Sequence, residues 1–463
     1  MTDSRFEALV QQFRNGSIDR RTFLMRASAL GVGAAAVLQA GSAFAQASPE
    51  ASPAGGSSDV LGATALTTDG LGVAGVEHST DTSKGTINLY SSWPMSGANE
   101  QIGADSAEAV KYAVEIWGGA AGGFAIKYTA MDDGVAANNG SWDATTESQN
   151  ATEVINDPDA VAYIATYNSG AAEVSIPITN GAGMFQISPA ATAVQLTKEN
   201  DANPEGYPDV LYSATGKRNF ARLVPADDIQ GAASANWAIN EKGAKNAYVL
   251  HDNQTYGKGV ASVFQTTFTK LGGTVAGFEA YDAKAPEYQA LATKIANAGV
   301  DFVYIGAIVD QNVPKLVQDL RDVLSVDDVT IMGPDGVANQ AYVDGSGDAA
   351  EGSFVTFGGL PPTALEGIGA DWYKAMTDRL GHDPDPYAVY SFECAIAVLQ
   401  AIDKVGEKDR AKILETGMAT ADFRGLIGTW SFGPTGDTTA TTISLNEIKD
   451  GKIVFQKVIG VAE

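Results

Sequence analysis

Side chains that could carry out catalysis are few and widely separated in this sequence. The single cysteine, Cys394, lies in an apolar run with helical character, and the three histidines are His78, His251 and His382. A lone thiol in such surroundings is typical of a small buried hydrophobe, and it excludes a disulfide within the chain. The histidines lack the spacing of a zinc site. We therefore predict no metal, no organic cofactor and no enzymatic activity.

Two glycine-containing segments resemble known binding loops but lack essential parts. Gly257-Lys258-Gly259 follows a predicted strand and opens a helix, yet the third glycine and the acidic partner of a dinucleotide fingerprint are missing. Residues 344–348 (DGSGD) match half of a calcium loop, but Val355 stands where a bidentate glutamate is needed. The sequence has no Gly-x-Ser-x-Gly elbow, so a secreted hydrolase remains only a remote alternative.

The charge of the chain also limits its partners. Its 56 acidic and 30 basic residues give a net charge of -26. A surface this acidic repels nucleic acid and anionic membranes. With 463 residues, 44% of them hydrophobic, the chain is long enough for two core-forming domains. The composition predicts a two-lobed globular protein that does not bind nucleic acid.

The amino-terminal region has the features of an export signal. Residues 19–24 (DRRTFL) precede an apolar stretch over 27–41, and Ala43-Phe44-Ala45 fits a small-residue cleavage site. The paired arginines favour the twin-arginine type over an ordinary secretory signal. Removing residues 1–45 takes away three acids and five arginines, so the net charge changes from -26 to -28. We predict a periplasmic or extracytoplasmic protein without stable membrane insertion, and a flexible tether over 46–85.

From residue 86 onwards, predicted strands and helices alternate. This alternation indicates βαβ units and mostly parallel sheets, and it occurs twice, on either side of an irregular stretch. The segment 426–459 instead predicts short antiparallel strands. Doubly wound sheets bind ligands at the carboxyl ends of their strands. We therefore expect the site on post-strand loops, which are 92–97, 167–170, 188–192, 252–257, 307–310 and 333–336.

Five sequence blocks on or near these loops resemble the leucine/isoleucine/valine-binding protein family, the type I periplasmic solute-binding proteins of branched-chain amino-acid ABC transporters. The blocks, in order, are 95–97 (MSG), 187–192 (ISPAAT), 222–231 (R-x-x-P-x-D-x-x-Q-G), 251–259 (HD-x-x-x-YG-x-G) and 332–336 (MGPDG). The resemblance covers residues 86–460.

The resemblance implies an α/β fold with two doubly wound lobes, joined by three crossovers, and a ligand cleft between them. We place the amino-terminal lobe at 86–218 plus 356–428 and the carboxyl-terminal lobe at 219–355 plus 429–463. It also implies that a monomer captures a small molecule by hinge closure and delivers it to an ABC permease. A sensor that presents the same ligand to a receptor remains an alternative.

The resemblance further assigns residues to the ends of an amino-acid ligand. Ser169, Ala190, Ala191 and Thr192 match the positions that hold the carboxylate in the family. Clustered N–H donors at turns and helix amino-termini suit an anion. Tyr256 and Asp335 match the tyrosine and the acid of the opposite lobe, and the acid neutralises the ligand ammonium. Here that acid is an aspartate, one methylene shorter than the more familiar glutamate.

The positions that would surround the ligand side chain depart from the family pattern. Two aromatic positions of the branched-chain binders appear as Ile102 and Ile308, while Trp93 and Tyr167 are candidates for other walls. The leading ligand is a branched-chain or other neutral amino acid. A short amide, urea or an aromatic acid are the alternatives.

Overall fold

The computed structural model describes residues 70–200 and 203–460. The predicted export signal (1–45) and the first part of the predicted tether, 46–69, lie outside these residues. Within the described residues, strands and helices alternate as the sequence predicts. None of the helices described is long and apolar enough to cross a membrane.

The secondary-structure elements are numbered here in chain order. The strands of the described residues are β1 (Thr86–Trp93), β2 (Ala120–Ala121), β3 (Phe124–Asp132), β4 (Ala160–Ala165), β5 (Phe185–Ser188), β6 (Phe220–Arg222), β7 (Asn246–His251), β8 (Thr274–Ala280), β9 (Phe302–Gly306), β10 (Thr330–Gly333), β11 (Phe354–Gly358), β12 (Phe423–Gly425), β13 (Gly428–Trp430), β14 (Ile443–Lys449) and β15 (Lys452–Ile459). The α-helices are α1 (Glu100–Ile116), α2 (Ala144–Asn156), α3 (Ser169–Gly181), α4 (Asp227–Asn240), α5 (Thr255–Lys270), α6 (Gln289–Asn297), α7 (Val313–Arg321), α8 (Gln340–Ser346), α9 (Ile368–Leu380), α10 (Ala388–Val405) and α11 (Arg410–Met418).

Two large sheets form the centres of two lobes. The first sheet has the strand order β2-β3-β1-β4-β5-β6, and the second has the order β15-β14-β11-β10-β9-β7-β8. Strand pairs such as β1–β4 and β7–β9 run parallel. Strands β14 and β15 pair antiparallel with each other, and β14 is antiparallel to β11. The predicted antiparallel ending is therefore confirmed.

The strand pairing corrects the predicted lobe boundaries. β6 pairs with β5 in the first sheet, so the boundary at 218/219 comes too early. β11 lies wholly in the second sheet, so the boundary at 355/356 divides a strand. The boundary at 428/429 likewise falls inside β13, a strand of the small β12–β13 hairpin, and β14 is the next strand of the second sheet. A buried strand has the same composition in either sheet, and only its hydrogen-bond partners decide where it belongs.

Residues 70–85 pack against the first lobe, which corrects the prediction of a flexible tether up to residue 85. Gly72 exchanges two backbone hydrogen bonds with Arg424 of β12. The carboxylate of Asp403 in α10 accepts hydrogen bonds from the backbone N–H of Ser79 at 3.2 Å and contacts His78 Nδ1 at 3.0 Å. The serine- and glycine-rich composition of this segment does not reveal these hydrogen bonds, because their partner residues lie more than three hundred residues later in the chain.

The core of the first lobe is built around α10. Residues 388–402 of this helix are all buried, because it packs against α1 and α11. Cys394 is one of these residues, as predicted, and burial raises the pKa of its thiol. A buried, protonated thiol is a packing residue and a poor nucleophile.

Candidate functional site

A small cavity lies where post-strand loops of both lobes meet. Its volume is about 10 Å³, which is near the minimum for one water molecule. The cavity is lined by Tyr167, Asn168, Ser169, Ala190, Tyr256, Ile308, Asp335, Gly336 and Tyr387. Its loops follow β4, β5, β9 and β10, so it occupies the edge of the sheets where the fold predicts a ligand.

The carboxylate of Asp335 is the polar centre of this cavity. The residue is only 3% exposed. Its Oδ1 accepts hydrogen bonds from Tyr256 Oη and, at 2.7 Å, from Gln230 Nε2, while Oδ2 accepts one from Tyr387 Oη. Burial raises the pKa of Asp335, and the hydrogen bonds from Tyr256, Tyr387 and Gln230 partly oppose this shift. The site therefore holds a desolvated acid that a ligand cation would stabilise.

A second buried acid lies beside Asp335. Asp227 is the first residue of α4, and its Oδ2 has no hydrogen-bond partner among the described residues. Gln230 Nε2 lies 3.4 Å from Asp227 Oδ1, so this amide stands between the two carboxyl groups. Burial and the nearby charge of Asp335 raise the pKa of Asp227 well above its ordinary value. Two adjacent buried acids make this wall of the site unfavourable for an anion.

The opposite wall contains the start of α3 and the turn after β5. Ser169 is 2% exposed, and its Oγ accepts a hydrogen bond from the N–H of Ala193 at 3.1 Å. The N–H groups of Ala190 and Ala191 donate to Ser188 Oγ at 3.1 and 2.8 Å. In this conformation, the backbone N–H groups of Ala190 and Ala191, which the resemblance assigns to the ligand carboxylate, are thus hydrogen-bonded to Ser188 of the same turn.

Other polar atoms near this wall are buried without a partner. Tyr167 Oη and Asn168 Oδ1 have no hydrogen-bond partner among the described residues. Such atoms are costly when they stay unpaired. Their position beside Ser169 makes them candidates for hydrogen bonds to a ligand.

Gly336 allows the loop after β10 to come close to the loop after β9 and to the ring of Tyr256 within the second lobe. A Cβ at this position would lie 2.6 Å from the carbonyl oxygen of Ala307 and 2.8 Å from the ring of Tyr256. Its N–H also donates to Tyr256 Oη at 2.9 Å. The glycine of the 332–336 block is therefore needed for the contact that orients the Tyr256 hydroxyl toward Asp335.

The structure brings most of the predicted site residues together, but not all of them. Ser169, Ala190, Tyr256, Asp335, Tyr167 and Ile308 line the cavity. Ala191 and Thr192 are buried in the adjoining turn, and the carbonyl of Thr192 accepts the N–H of Asp227 at 2.9 Å. Trp93 lies in the hydrophobic core of the first lobe, and Ile102 lines a separate, larger cavity.

Three residues at the site are absent from the sequence-based prediction. Tyr387 and Asn168 line the cavity, and Gln230 joins the two acids. Gln230 does lie within the 222–231 block, which could have indicated it. Tyr387 follows the Asp383-Pro384-Asp385-Pro386 turn, and its nearness to Asp335 depends on packing between elements distant in sequence.

Hydrogen bonds between the lobes hold the cleft shut. Asp310 Oδ2 accepts from Asn99 Nδ2 at 2.6 Å and from Ser141 Oγ at 2.7 Å. Glu173 Oε2 accepts from Thr255 Oγ1 at 2.9 Å. The Tyr387–Asp335 hydrogen bond is a further bridge. The described conformation is therefore a closed one, which explains the small volume of the cavity.

Comparison with protein families identifies one match that spans most of the chain. The family model described as periplasmic binding protein matches residues 86–452. The leucine-, isoleucine-, valine-, threonine- and alanine-binding protein of Pseudomonas aeruginosa is 28% identical over 293 residues, which cover 62% of this chain and 71% of that protein.

Solved structures share the fold at low sequence identity. The branched-chain amino acid transporter substrate-binding protein LivJ from Streptococcus pneumoniae, in complex with isoleucine, has a TM-score of 0.69 at 21% identity and covers 81% of this chain and 99% of its own. An ABC transporter solute-binding protein from R. palustris, in complex with benzoate, has a TM-score of 0.67 at 21% identity, with 82% and 98% covered. The fold is thus that of proteins with different ligands.

Proposed function

Because the chain belongs to the periplasmic binding protein family, we propose that it captures a small amino acid between its two lobes. The buried carboxylate of Asp335 carries this proposal. It lies in a small cavity at the lobe interface, it accepts hydrogen bonds from a tyrosine hydroxyl of each lobe, and a second acid, Asp227, lies next to it. A ligand ammonium would compensate this negative charge.

In the proposed complex the ammonium lies at Asp335 and the carboxylate at the start of α3. Ser169 and the turn of Ala190, Ala191 and Thr192 are on that side, so the zwitterion spans the cleft from one lobe to the other. The ligand gains contacts with both lobes only in the closed state, and this difference in contacts is what shifts the equilibrium toward closure.

An aromatic acid without an amine is disfavoured by the same acids. The structural neighbour from R. palustris binds benzoate, so the fold itself accepts such ligands. In this chain, however, a carboxylate ligand would lie close to Asp335 and Asp227, and it would bring no cation to compensate them. Of the two ligand classes, the charges favour the amino acid.

The proposal includes the cellular role of a transport protein. We infer that the chain is exported to the extracytoplasmic side, performs no catalysis and delivers its ligand to an ABC permease. The similarity to proteins named as transporter substrate-binding components supports this role, as does the pair of arginines in residues 19–24 that precedes an apolar stretch. The binding cycle then consists of closure, docking and reopening, with no covalent step.

The test is isothermal titration of the mature chain with leucine, isoleucine, valine, alanine and threonine, and with benzoate and urea. Asp335→Asn keeps the shape of the side chain but exchanges a charge-assisted hydrogen bond for a neutral one. A hydrogen bond to a charged group is worth about 1.5 to 3 kcal/mol, so amino-acid affinity should fall by roughly ten- to a hundredfold.

The matched control is Asp327→Asn, an exposed aspartate in a loop of the same lobe. It should leave the affinity within twofold of the wild type. Binding of benzoate but of no amino acid would refute the proposal. An unchanged dissociation constant in Asp335→Asn would remove this residue from the site.

A further inference from the structure

A second cavity of about 370 Å³ lies beside the site, between the same two lobes. Tyr387, which lines the small cavity, has its ring centroid 5.1 Å from that of Phe357, which lines the large one. The chain also passes directly from one cavity to the other, since Gly336 lines the first and Ala338 the second. The two cavities are therefore separated by about one layer of aromatic side chains.

The walls of this second cavity are mainly apolar. Ile102 and Phe357 line it together with four prolines, which are Pro361, Pro362, Pro384 and Pro386. A space of this volume is well above the roughly 10 to 15 Å³ that one water needs, and it is within the range of sites for small organic molecules. It offers the room for a ligand side chain that the cavity around Asp335 lacks.

Two buried residues that carry hydrogen-bond acceptors line this cavity. Asn446 of β14 is 1% exposed and lines the cavity. Its Nδ2 donates to the carbonyl of Val355 at 3.4 Å and to Ser444 Oγ at 3.3 Å. Its Oδ1, in contrast, has no partner among the described residues. An unpaired buried amide oxygen costs free energy, and an N–H donor would remove that cost.

The second acceptor is the carboxyl group of Asp385. This residue is buried and lines the same cavity. Its Oδ1 accepts the N–H of Tyr387 at 2.9 Å, while no hydrogen bond to Oδ2 occurs among the described residues. Burial, together with the nearby charge of Asp105, raises the pKa of Asp385 to about 7. Both unused oxygens, Asn446 Oδ1 and Asp385 Oδ2, can accept hydrogen bonds.

We propose that this cavity receives the side chain of the ligand and selects amino acids whose side chains end in N–H donors. The inference rests on the proposed function, since it requires the ammonium of the same ligand at Asp335. Glutamine and lysine represent the two forms of this chemistry, an amide and an amine. A side chain of four or five bonds extends about 5 to 6 Å, enough to pass one aromatic ring, whereas valine is too short.

The ring of Tyr387 must turn aside for the side chain to pass. This movement breaks its hydrogen bond to Asp335 Oδ2. The ligand ammonium can replace that bond at the same oxygen, so the exchange leaves Asp335 paired. Tyr387 thereby connects occupation of the charged site to the opening of the second cavity.

The test compares glutamine, lysine and leucine by isothermal titration of the mature chain and of two variants. Asn446→Leu removes the unpaired amide oxygen, and Asp385→Asn removes one acceptor while keeping the size of the side chain. In the wild type, glutamine or lysine should bind at least tenfold more tightly than leucine. In each variant the preference for glutamine or lysine over leucine should fall by tenfold or more.

The outcomes separate this inference from the proposed function. If leucine binds more tightly than both donors, the second cavity does not select N–H groups, while the amino-acid proposal stands. If none of the three amino acids binds, the proposed function itself fails and this inference with it. If a circular dichroism spectrum shows that Asn446→Leu does not fold, Asp385→Asn alone provides the test. Equal losses of affinity for lysine and for leucine in Asp385→Asn would overturn the inference.

Discussion

Asp310 should control the affinity of the protein without belonging to the ligand cavity. Its Oδ2 accepts hydrogen bonds from Asn99 Nδ2 at 2.6 Å and from Ser141 Oγ at 2.7 Å, both from the opposite lobe. These contacts exist only while the lobes are together. Substitution of Asp310 by alanine removes both of them and leaves the residues around Asp335 in place.

The magnitude follows from these two bonds. Hydrogen bonds to a charged group contribute about 1.5 to 3 kcal/mol each in buried positions. Asp310 is partly exposed, so we take about 2 kcal/mol for the pair, since solvent weakens surface interactions of this kind. A free-energy loss of 2 kcal/mol lowers the population of the closed state about thirtyfold relative to the open one. The apparent dissociation constant should rise by about the same factor.

Isothermal titration and stopped-flow dissociation together test this prediction. The dissociation constant for the best amino acid should rise ten- to thirtyfold in Asp310→Ala, and most of the change should appear in the dissociation rate. Asp327→Ala, in an exposed loop of the same lobe, is the control and should change neither quantity. If Asp310→Ala binds within twofold of the wild type, the lobe-bridging hydrogen bonds do not determine closure.

Three further predictions concern the walls of the site and the buried acids. Tyr387→Phe should remove one hydrogen bond from Asp335 and raise the amino-acid dissociation constant by about three- to tenfold in titration. Gly336→Ala should lower the unfolding free energy by about 1 to 3 kcal/mol in urea unfolding, and a loss below 0.5 kcal/mol would refute the close packing described. Burial raises the pKa of Glu147 from 4.5 to about 7, so the native state binds more protons than the unfolded state between these values. The stability that protonated Glu147 contributes at low pH is lost as the pH rises from about 5 to 8. Because Glu147→Gln cannot lose a proton at this position, its melting temperature should fall less over this pH range than that of the wild type.

Much of the fold is predictable because local patterns carry it. The predicted alternation of strands and helices from residue 86 onwards recurs in the order of the elements of both sheets. These elements need no distant information, since the period of the pattern differs between a strand and a helix. The exception is α3, which lies in the stretch where the sequence shows no regular alternation. Pro177 lies inside this helix and interrupts its apolar pattern.

The site is only partly predictable for a different reason. Blocks of sequence after the strands contain Tyr256 and Asp335, the resemblance adds Ser169, and the structure brings all three to one cavity. Tyr387 reaches the same cavity from the start of a helix whose own pattern shows only that it is buried. Its role depends on how α10 packs between the lobes, and no local pattern contains that information.

If an amino acid closes the two lobes around Asp335, small-angle X-ray scattering should detect the closure as a decrease in the size of the protein. The radius of gyration of the mature chain should be larger without ligand and should decrease when the tightest-binding amino acid is added to saturation. Asp335→Asn should need a roughly ten- to hundredfold higher ligand concentration for the same decrease. A radius that stays unchanged at saturation of the wild type, with binding verified by titration, would contradict closure of the cleft as the mechanism.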